Sequence, residues 1–386
     1  MLKTYLFDIE PGRLRREKSR VNLSIIIFIA FYPMHSRRFR LLLNAYFLSG
    51  LAALSLIIGG YMMPSPFWKR SSTVEKSNLT SVLSDTISPL QRLDAQGQLH
   101  PALFKLFYLT GITLEVSSPF DTLVDQAQTH WYQGGKERWL LEGESFTPEK
   151  QEEIIELLRR LNLIQTIHAQ YRGEVKYDYV LVHGALGQSI QNRLKNLNQA
   201  YQEGVRFKAV VLLTGARPLI PGKEDKWIAL GIKAEADLFQ YLWQEEDYSR
   251  VFEKSYTLID TPGMTALDHP GKLSIKRPGT EDTLKLWLNT QRPQPGSKIL
   301  AISNQPYIIY QHAILKRCLR QYCIDNQFDE SQFHIETIGA ESTLPLGEKA
   351  QYIATHLDNL ARYLFEERKL KSMPQAQPRA FQMRCA

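Results

Sequence analysis

Five apolar runs alternate with helix-like segments over the second half of the chain, and that alternation constrains the fold more than any other feature. The runs are Asp178 to His183, Lys208 to Thr214, Tyr256 to Asp260, Lys298 to Ser303 and His334 to Ile338. Each is a short continuous apolar stretch of the kind a strand buried on both faces requires, and each leads into a segment with helical spacing. Parallel strands need long crossovers, so this order predicts an α/β fold: a Rossmann-like, mainly parallel five-stranded sheet with right-handed crossovers and helices on both faces. The first unit is the plainest. Val180, Leu181 and Val182 stop at His183-Gly184-Ala185-Leu186-Gly187, and a polar helix begins.

In open parallel sheets ligands bind beyond the carboxyl ends of the strands, where turns and helix N-termini expose backbone N–H groups. Here those ends read His183-Gly184-Ala185, Thr214-Gly215-Ala216-Arg217, Asp260-Thr261, Ser303-Asn304-Gln305 and Gly339-Ala340-Glu341. All are small or polar, and their fall on one edge predicts a ligand site there. Two of the turns open into long stretches, Arg217 to Gly231 and Thr261 to Gly279, read as binding loops, lids or solvated insertions. Lys223, Lys226, Lys272, Lys276 and Arg277 make them basic, which suits an anionic ligand.

Several chemistries lack their motifs. There is no Walker A sequence and no Gly-x-Gly-x-x-Gly, and the acid expected about 20 residues beyond a dinucleotide turn is replaced by Thr214-Gly215-Ala216. His183-Gly184 resembles the oxyanion turn of α/β-hydrolases, but no Gly-x-Ser-x-Gly elbow supplies a nucleophile. His183 is therefore read either as a hydrogen-bonded strand-end residue or as a functional one. The cysteines, Cys318, Cys323 and Cys385, form no disulfide framework and no zinc spacing, and no metal motif is present. The sequence leaves the cofactor open.

The N-terminal third carries a different signal. Residues Leu41 to Met63 contain no charged residue, long enough to cross a bilayer core of roughly 30 Å. The excess of basic residues behind the net charge of +7 is concentrated just before it, including Arg13, Arg15, Arg16, Arg37, Arg38 and Arg40. That position makes the cluster a topology signal rather than a nucleic-acid patch: N-terminus in the cytoplasm, C-terminal part across the membrane, in a bacterium the inner membrane and periplasm. The expected organisation is a basic leader (1–40), an uncleaved single-pass anchor (41–63), a polar tether (64–100), a helical lead-in (101–172), the α/β domain (173–368) and a frayed tail (369–386). Met34 is an alternative start. In the lead-in, Thr147-Pro148-Glu149 is a helix start with an N-cap hydroxyl and proline at N1. Trp131 and Trp139 are read there as core residues.

The ordered motifs Asp178-Tyr-Val-Leu-Val-His-Gly, Arg193-Leu194, Leu213-Thr214-Gly215-Ala216, Glu235-Ala236, Thr280-Glu281-Asp282-Thr283 and Ile302-Ser303-Asn304-Gln305 resemble the YdcF/SanA/ElyC family. Its members share a Rossmann-like domain, often behind one N-terminal membrane anchor, and are linked to the bacterial envelope. The resemblance implies a pocket surrounded by Gly184, Arg193, Thr214, Gly215, Glu235, Thr280, Asp282 and Ser303. The chain departs from the family where Asp282-Thr283 stands in place of Glu-Asn, and where Tyr307 and Tyr310 stand in place of a His and an Arg.

Three functions are consistent with these residues. The leading one is a membrane-anchored envelope protein whose domain binds a nucleotide-like or phosphorylated ligand through His183, Gly184, Arg193, Thr214, Gly215, Arg217, Glu235, Thr280, Asn304 and Gln305. A second is a hydrolase or transferase acting on a phosphorylated or lipid-linked envelope precursor, with Asp282 as base, Ser303 or Tyr307 as hydrogen-bond donor, and backbone N–H groups near Gly184 and Gly215 as oxyanion donors. A third is a scaffold for envelope protein partners. Asp282, Arg193 and Glu235 each also have a plainer reading, as helix cap, surface ion pair and solvated acid respectively.

Overall fold

A computed structural model of the chain describes residues 100–376, apart from 116, 269–271 and 344–347. The expected leader, membrane anchor and most of the tether and tail lie outside the described residues. Among the described residues no helix is long and apolar enough to cross a membrane.

All five apolar runs are strands: β1 Lys176–His183, β2 Arg206–Gly215, β3 Tyr256–Thr261, β6 Lys298–Asn304 and β7 His334–Ala340. They form one sheet in the order β3-β2-β1-β6-β7, with every pair parallel. The chain starts in the middle at β1, steps outward to β3, then returns across the sheet to β6 and β7. The strand order therefore reverses between β1 and β6, the position at which turns diverge and leave a crevice.

Continuous apolar strands follow from cores on both faces. Val180 and Val182 point into one core with Ile190, Leu194 and Leu197 of α4 (Gly187–Gln202) and Leu238, Phe239 and Trp243 of α6 (Glu235–Glu245). Leu181, between them, points into the other with Leu284 and Trp287 of α8 (Thr280–Gln291) and Ile314, Leu315 and Cys318 of α9 (Ile308–Asn326). Cys318 and Cys323 are buried free thiols whose pKa values burial pushes up to about 12.

The lead-in holds α1 (Pro101–Leu109), α2 (Phe120–His130) and α3 (Pro148–Arg160). The Thr147 hydroxyl accepts from the Lys150 N–H and caps α3, as its sequence predicts. Ile154, Leu157 and Leu158 then pack with Ile353, Leu357, Leu360 and Leu364 of α10 (Lys349–Ser372) and with Ile309 and Ala313 of α9, in a third core. The described lead-in and sheet belong to a single compact unit.

Two expected loops contain structure. Residues 217–231 include a single helical turn, α5 (Asp225–Ile228), and a following one-turn helix after α6 is α7 (Tyr248–Phe252). Residues 261–279 contain an antiparallel hairpin, β4 (Met264–Asp268) with β5 (Lys272–Lys276), outside the main sheet.

Candidate functional site

A cavity of about 490 Å³ opens at the crest, over the reversal between β1 and β6. Its floor is the end of β1 (His183, Gly184, Ala185), with Leu213 and Gly215 of β2 beside it. Three helices begin at its wall: α4 after Leu186, α8 after Gly279 and α9 after Tyr307. A helix N-terminus carries unsatisfied N–H groups and about half a positive charge, so their convergence favours an anion. Arg193, Lys136, Lys276, Arg277 and Arg362 line the same space, against Glu137 and Glu235.

Arg193, in the second turn of α4, is 1% exposed rather than a surface ion-pair residue. Its Nη1 donates to the carbonyls of His183 and Gly184, each at 2.8 Å, and its Nε donates to Oδ1 of Asn304 at 2.9 Å. The guanidinium thus ties the turn after β1 to the turn after β6, and Asn304 serves it rather than lining the cavity.

Gly184 is required by close approach. A Cβ there would lie 2.3 Å from Oε1 of Glu235 and 2.8 Å from the Leu213 carbonyl. Glu235, the first residue of α6, is buried at 2% exposure, so the solvated-acid reading gives way to a carboxyl in the cavity wall. Burial pushes its pKa up, opposed by Arg217, Arg277, the Gly215 N–H and Arg193. His183 is buried too, and its Nε2 finds no hydrogen-bond partner among the described residues. Burial, with Arg193 nearby, pushes it down to about 3, so the imidazole is neutral at ordinary pH.

Behind this wall Arg217 is buried between two carboxylates. Its Nη1 and Nη2 donate to Glu224 at 2.5 and 3.0 Å, its Nη2 to the Ala185 carbonyl at 2.7 Å, and its Nε lies 3.5 Å from Glu235. Glu224 also accepts from the Gly187 and Ile220 N–H groups, at 2.7 and 2.8 Å. Burial alone would raise its pKa, but Arg217 and these N–H groups hold it below the usual carboxylate range.

Of the residues singled out from the sequence, His183, Gly184, Arg193, Gly215, Glu235, Thr280 and Tyr307 line the cavity together. The others are occupied elsewhere. Thr214 donates its hydroxyl to Asp260 at 2.9 Å across β2 and β3. The buried Ser303 hydroxyl donates to Oε1 of Gln311, and it is Gln311 that reaches the cavity. Asp282 accepts from the Gly279 N–H at 2.8 Å, a cap on α8, and does not line the cavity as a base would. Gln305 is turned away from the ligand position: its Nε2 donates to the carbonyls of Asn162 at 2.9 Å and Gln165 at 3.0 Å.

Sequence reasoning missed the outer wall. Gly135, Lys136, Glu137 and Trp139 come from the lead-in and Arg362 from α10. Trp131 is a core residue, but Trp139 is half-buried at the cavity, with the Lys223 ammonium 5.6 Å from its ring. Glu137 pairs with Arg277 at 3.6 Å, joining the lead-in to the segment after β5. The glycine pair Gly134-Gly135 was the one local signal of a turn there.

The volume falls in the range of small-molecule sites. Among the described residues no group of three or more His, Cys, Asp or Glu side chains could hold a metal ion. No family model matches the chain, and no curated protein matches it.

Proposed function

We propose that the protein binds an anionic small molecule, nucleotide-like or phosphorylated, in the cavity at the crest of its sheet. The observation that carries this reading is the convergence of three helix N-termini and several basic side chains on one cavity. The uncharged 41–63 stretch behind a basic leader supports a second element: the domain is held at the bacterial inner membrane and faces the periplasm. The order of short motifs resembling the YdcF/SanA/ElyC family supports a role in the cell envelope.

Inorganic pyrophosphate is a suitable probe. Titration calorimetry of the full-length protein should show binding that weakens with added salt, because the attraction is to charges open to solvent. Reversing the two basic residues after the hairpin, Lys276→Glu with Arg277→Glu, should weaken it at least about tenfold, as expected for like charge facing an anion. A wild-type protein that binds no pyrophosphate, or a double variant that binds it equally well, would sink the proposal.

A second reading, hydrolysis or transfer on a phosphorylated or lipid-linked precursor, draws support from the carboxyl of Glu235 in the cavity wall. Tyr307 supplies a hydrogen-bond donor there. Asp282 and Ser303, engaged by Gly279 and Gln311, do not enter that chemistry.

A further inference from the structure

Two side chains on the α9/α10 side of the cavity are fastened at one end and open at the other. Gln311, the fourth residue of α9, is only 6% exposed yet lines the cavity. Its Oε1 accepts from the hydroxyl of Ser303, which is fully buried and lies behind the wall. That contact occupies the acceptor end of the amide and leaves the Nε2 end toward the cavity. Nε2 has no hydrogen-bond partner among the described residues. A buried amide left unmatched is costly, and folded proteins rarely leave one so unless something else fills the place.

Arg362 is built the same way. It comes from α10, which packs with α9 in the third core, and it lines the same cavity. Its Nε donates at 2.7 Å to Asp358, one turn earlier and fully buried, and its guanidinium lies 4.9 Å from the centroid of the Tyr132 ring. Asp358 is held in turn by the Gln133 N–H at 3.1 Å. Carboxylate and ring fix the guanidinium, while neither Nη has a hydrogen-bond partner among the described residues. A guanidinium presents its N–H groups as a rigid fork suited to an oxyanion, and an amide nitrogen adds two neutral donors. With the amide oxygen taken by Ser303, the pair offers donors alone. An ionised oxygen satisfies them, whereas a ligand group that must itself donate meets no acceptor here.

We propose that Gln311 and Arg362 together hold an oxyanion of the bound ligand, with Ser303 and Asp358 as their positioning residues. The inference rests on the anion-binding reading and adds to it where the charged group sits: against α9 and α10, beside the N-terminus of α9. It also gives the buried Ser303 hydroxyl a task, which is to keep the amide oxygen away from the anion.

Sulfate tests this, because it is a fully ionised oxyanion at neutral pH and has the shape of a phosphate group. Titrated calorimetrically into the full-length protein, it should bind Gln311→Met at least about tenfold more weakly than wild type, the loss expected for hydrogen bonds to a charged group. Arg362→Met, made together with Asp358→Asn so that no buried carboxylate is stranded, should weaken it by at least about tenfold as well. Ser303→Ala should weaken sulfate about threefold in the wild-type background and leave the Gln311→Met protein unchanged, because the hydroxyl acts only through the amide. A general loss of packing would carry over to both backgrounds. Phenylglyoxal labelling of the unmutated protein, mapped by mass spectrometry, should show Arg362 protected by sulfate, a result that needs no variant to fold. Sulfate affinity within about twofold of wild type in either the Gln311 or the Arg362 variant would overturn the pair and leave the anion site standing. An Arg362 that sulfate does not protect would do the same. No sulfate binding by the wild type would overturn both.

Discussion

The two halves of the crest are built from the same unit, a parallel strand running into a helix, yet they hold different chemistry. At the crest the β1/β2 half buries Arg193, Arg217, Glu224 and Glu235, while the β6/β7 half buries the neutral Ser303, Gln305 and Gln311; the buried Glu336 lies lower in β7, where it pairs with His334. Charges in the first half are arranged around the cavity, with Arg193 and Glu235 in its wall. The amides of the second half mostly fasten the lead-in: Gln305 donates to the Asn162 and Gln165 carbonyls, and Ile167 exchanges backbone hydrogen bonds with Gly339 at the edge of β7. Buried charge is costly and is expected where a ligand shares the field; neutral hydrogen bonds close a structure without needing one. Arg193 is the link, donating to the turn after β1 and to Asn304 after β6.

The largest effect should come from removing the charge that the first half is built around. Arg217→Met leaves Glu224 buried with backbone donors alone, and a broken buried pair costs about 3–5 kcal/mol. Chemical denaturation of the full-length protein should show that loss. Adding Glu224→Met should restore more than half of it, because the stranded carboxylate goes too. A loss below about 1 kcal/mol, typical of a surface pair, would break the contrast between the halves.

Where it faces the lead-in, the neutral half should respond in stability alone. Gln305→Ala removes a donor from two carbonyls, and buried groups left unmatched cost about 1–3 kcal/mol. Sulfate affinity should stay within about twofold, since Gln305 faces the lead-in rather than the cavity and distant sites act nearly independently. A tenfold weaker sulfate titration would show that these lead-in contacts are not separate from the cavity.

How much of this was legible in the chain depends on where each signal lies. The strands were readable because Val180 and Val182 face one core and Leu181 the other, leaving no solvent-facing position to interrupt the run. The hairpin was only partly readable: Lys272-Leu273-Ser274-Ile275-Lys276 alternates as a strand should, but five residues beside Pro270 and Gly271 read as loop. The burial of Arg193 and Glu235 was not readable, since a charged residue on a helix is solvated by default. It depends on Asn304 beside Arg193 and on Gly184 beside Glu235, which only the folded sheet brings to them. The outer wall was hidden for the same reason, because Lys136, Trp139 and Arg362 reach the crest only through the third core of α3, α9 and α10.

Asp282 sharpens the division with the smallest effect. Thr280-Glu281-Asp282 reads equally well as a helix start and as part of a pocket, and both readings require an oxygen at this position. In the structure the carboxylate accepts from the Gly279 N–H, the reciprocal contact of a capping box, at the first turn of α8. Asp282→Ala should therefore cost about 1 kcal/mol in chemical denaturation, the usual price of a lost cap. Asp282→Asn keeps the accepting oxygen and should recover most of that stability, losing only the attraction of a negative charge to the helix N-terminus, about 0.3–1 kcal/mol. Both variants should bind sulfate like the wild type, because Gly279, Thr280 and Thr283 line the cavity while Asp282 does not. Sulfate affinity that changed equally in the Ala and Asn variants would return the carboxylate to the ligand, since a cap distinguishes those substitutions and a charged ligand contact does not.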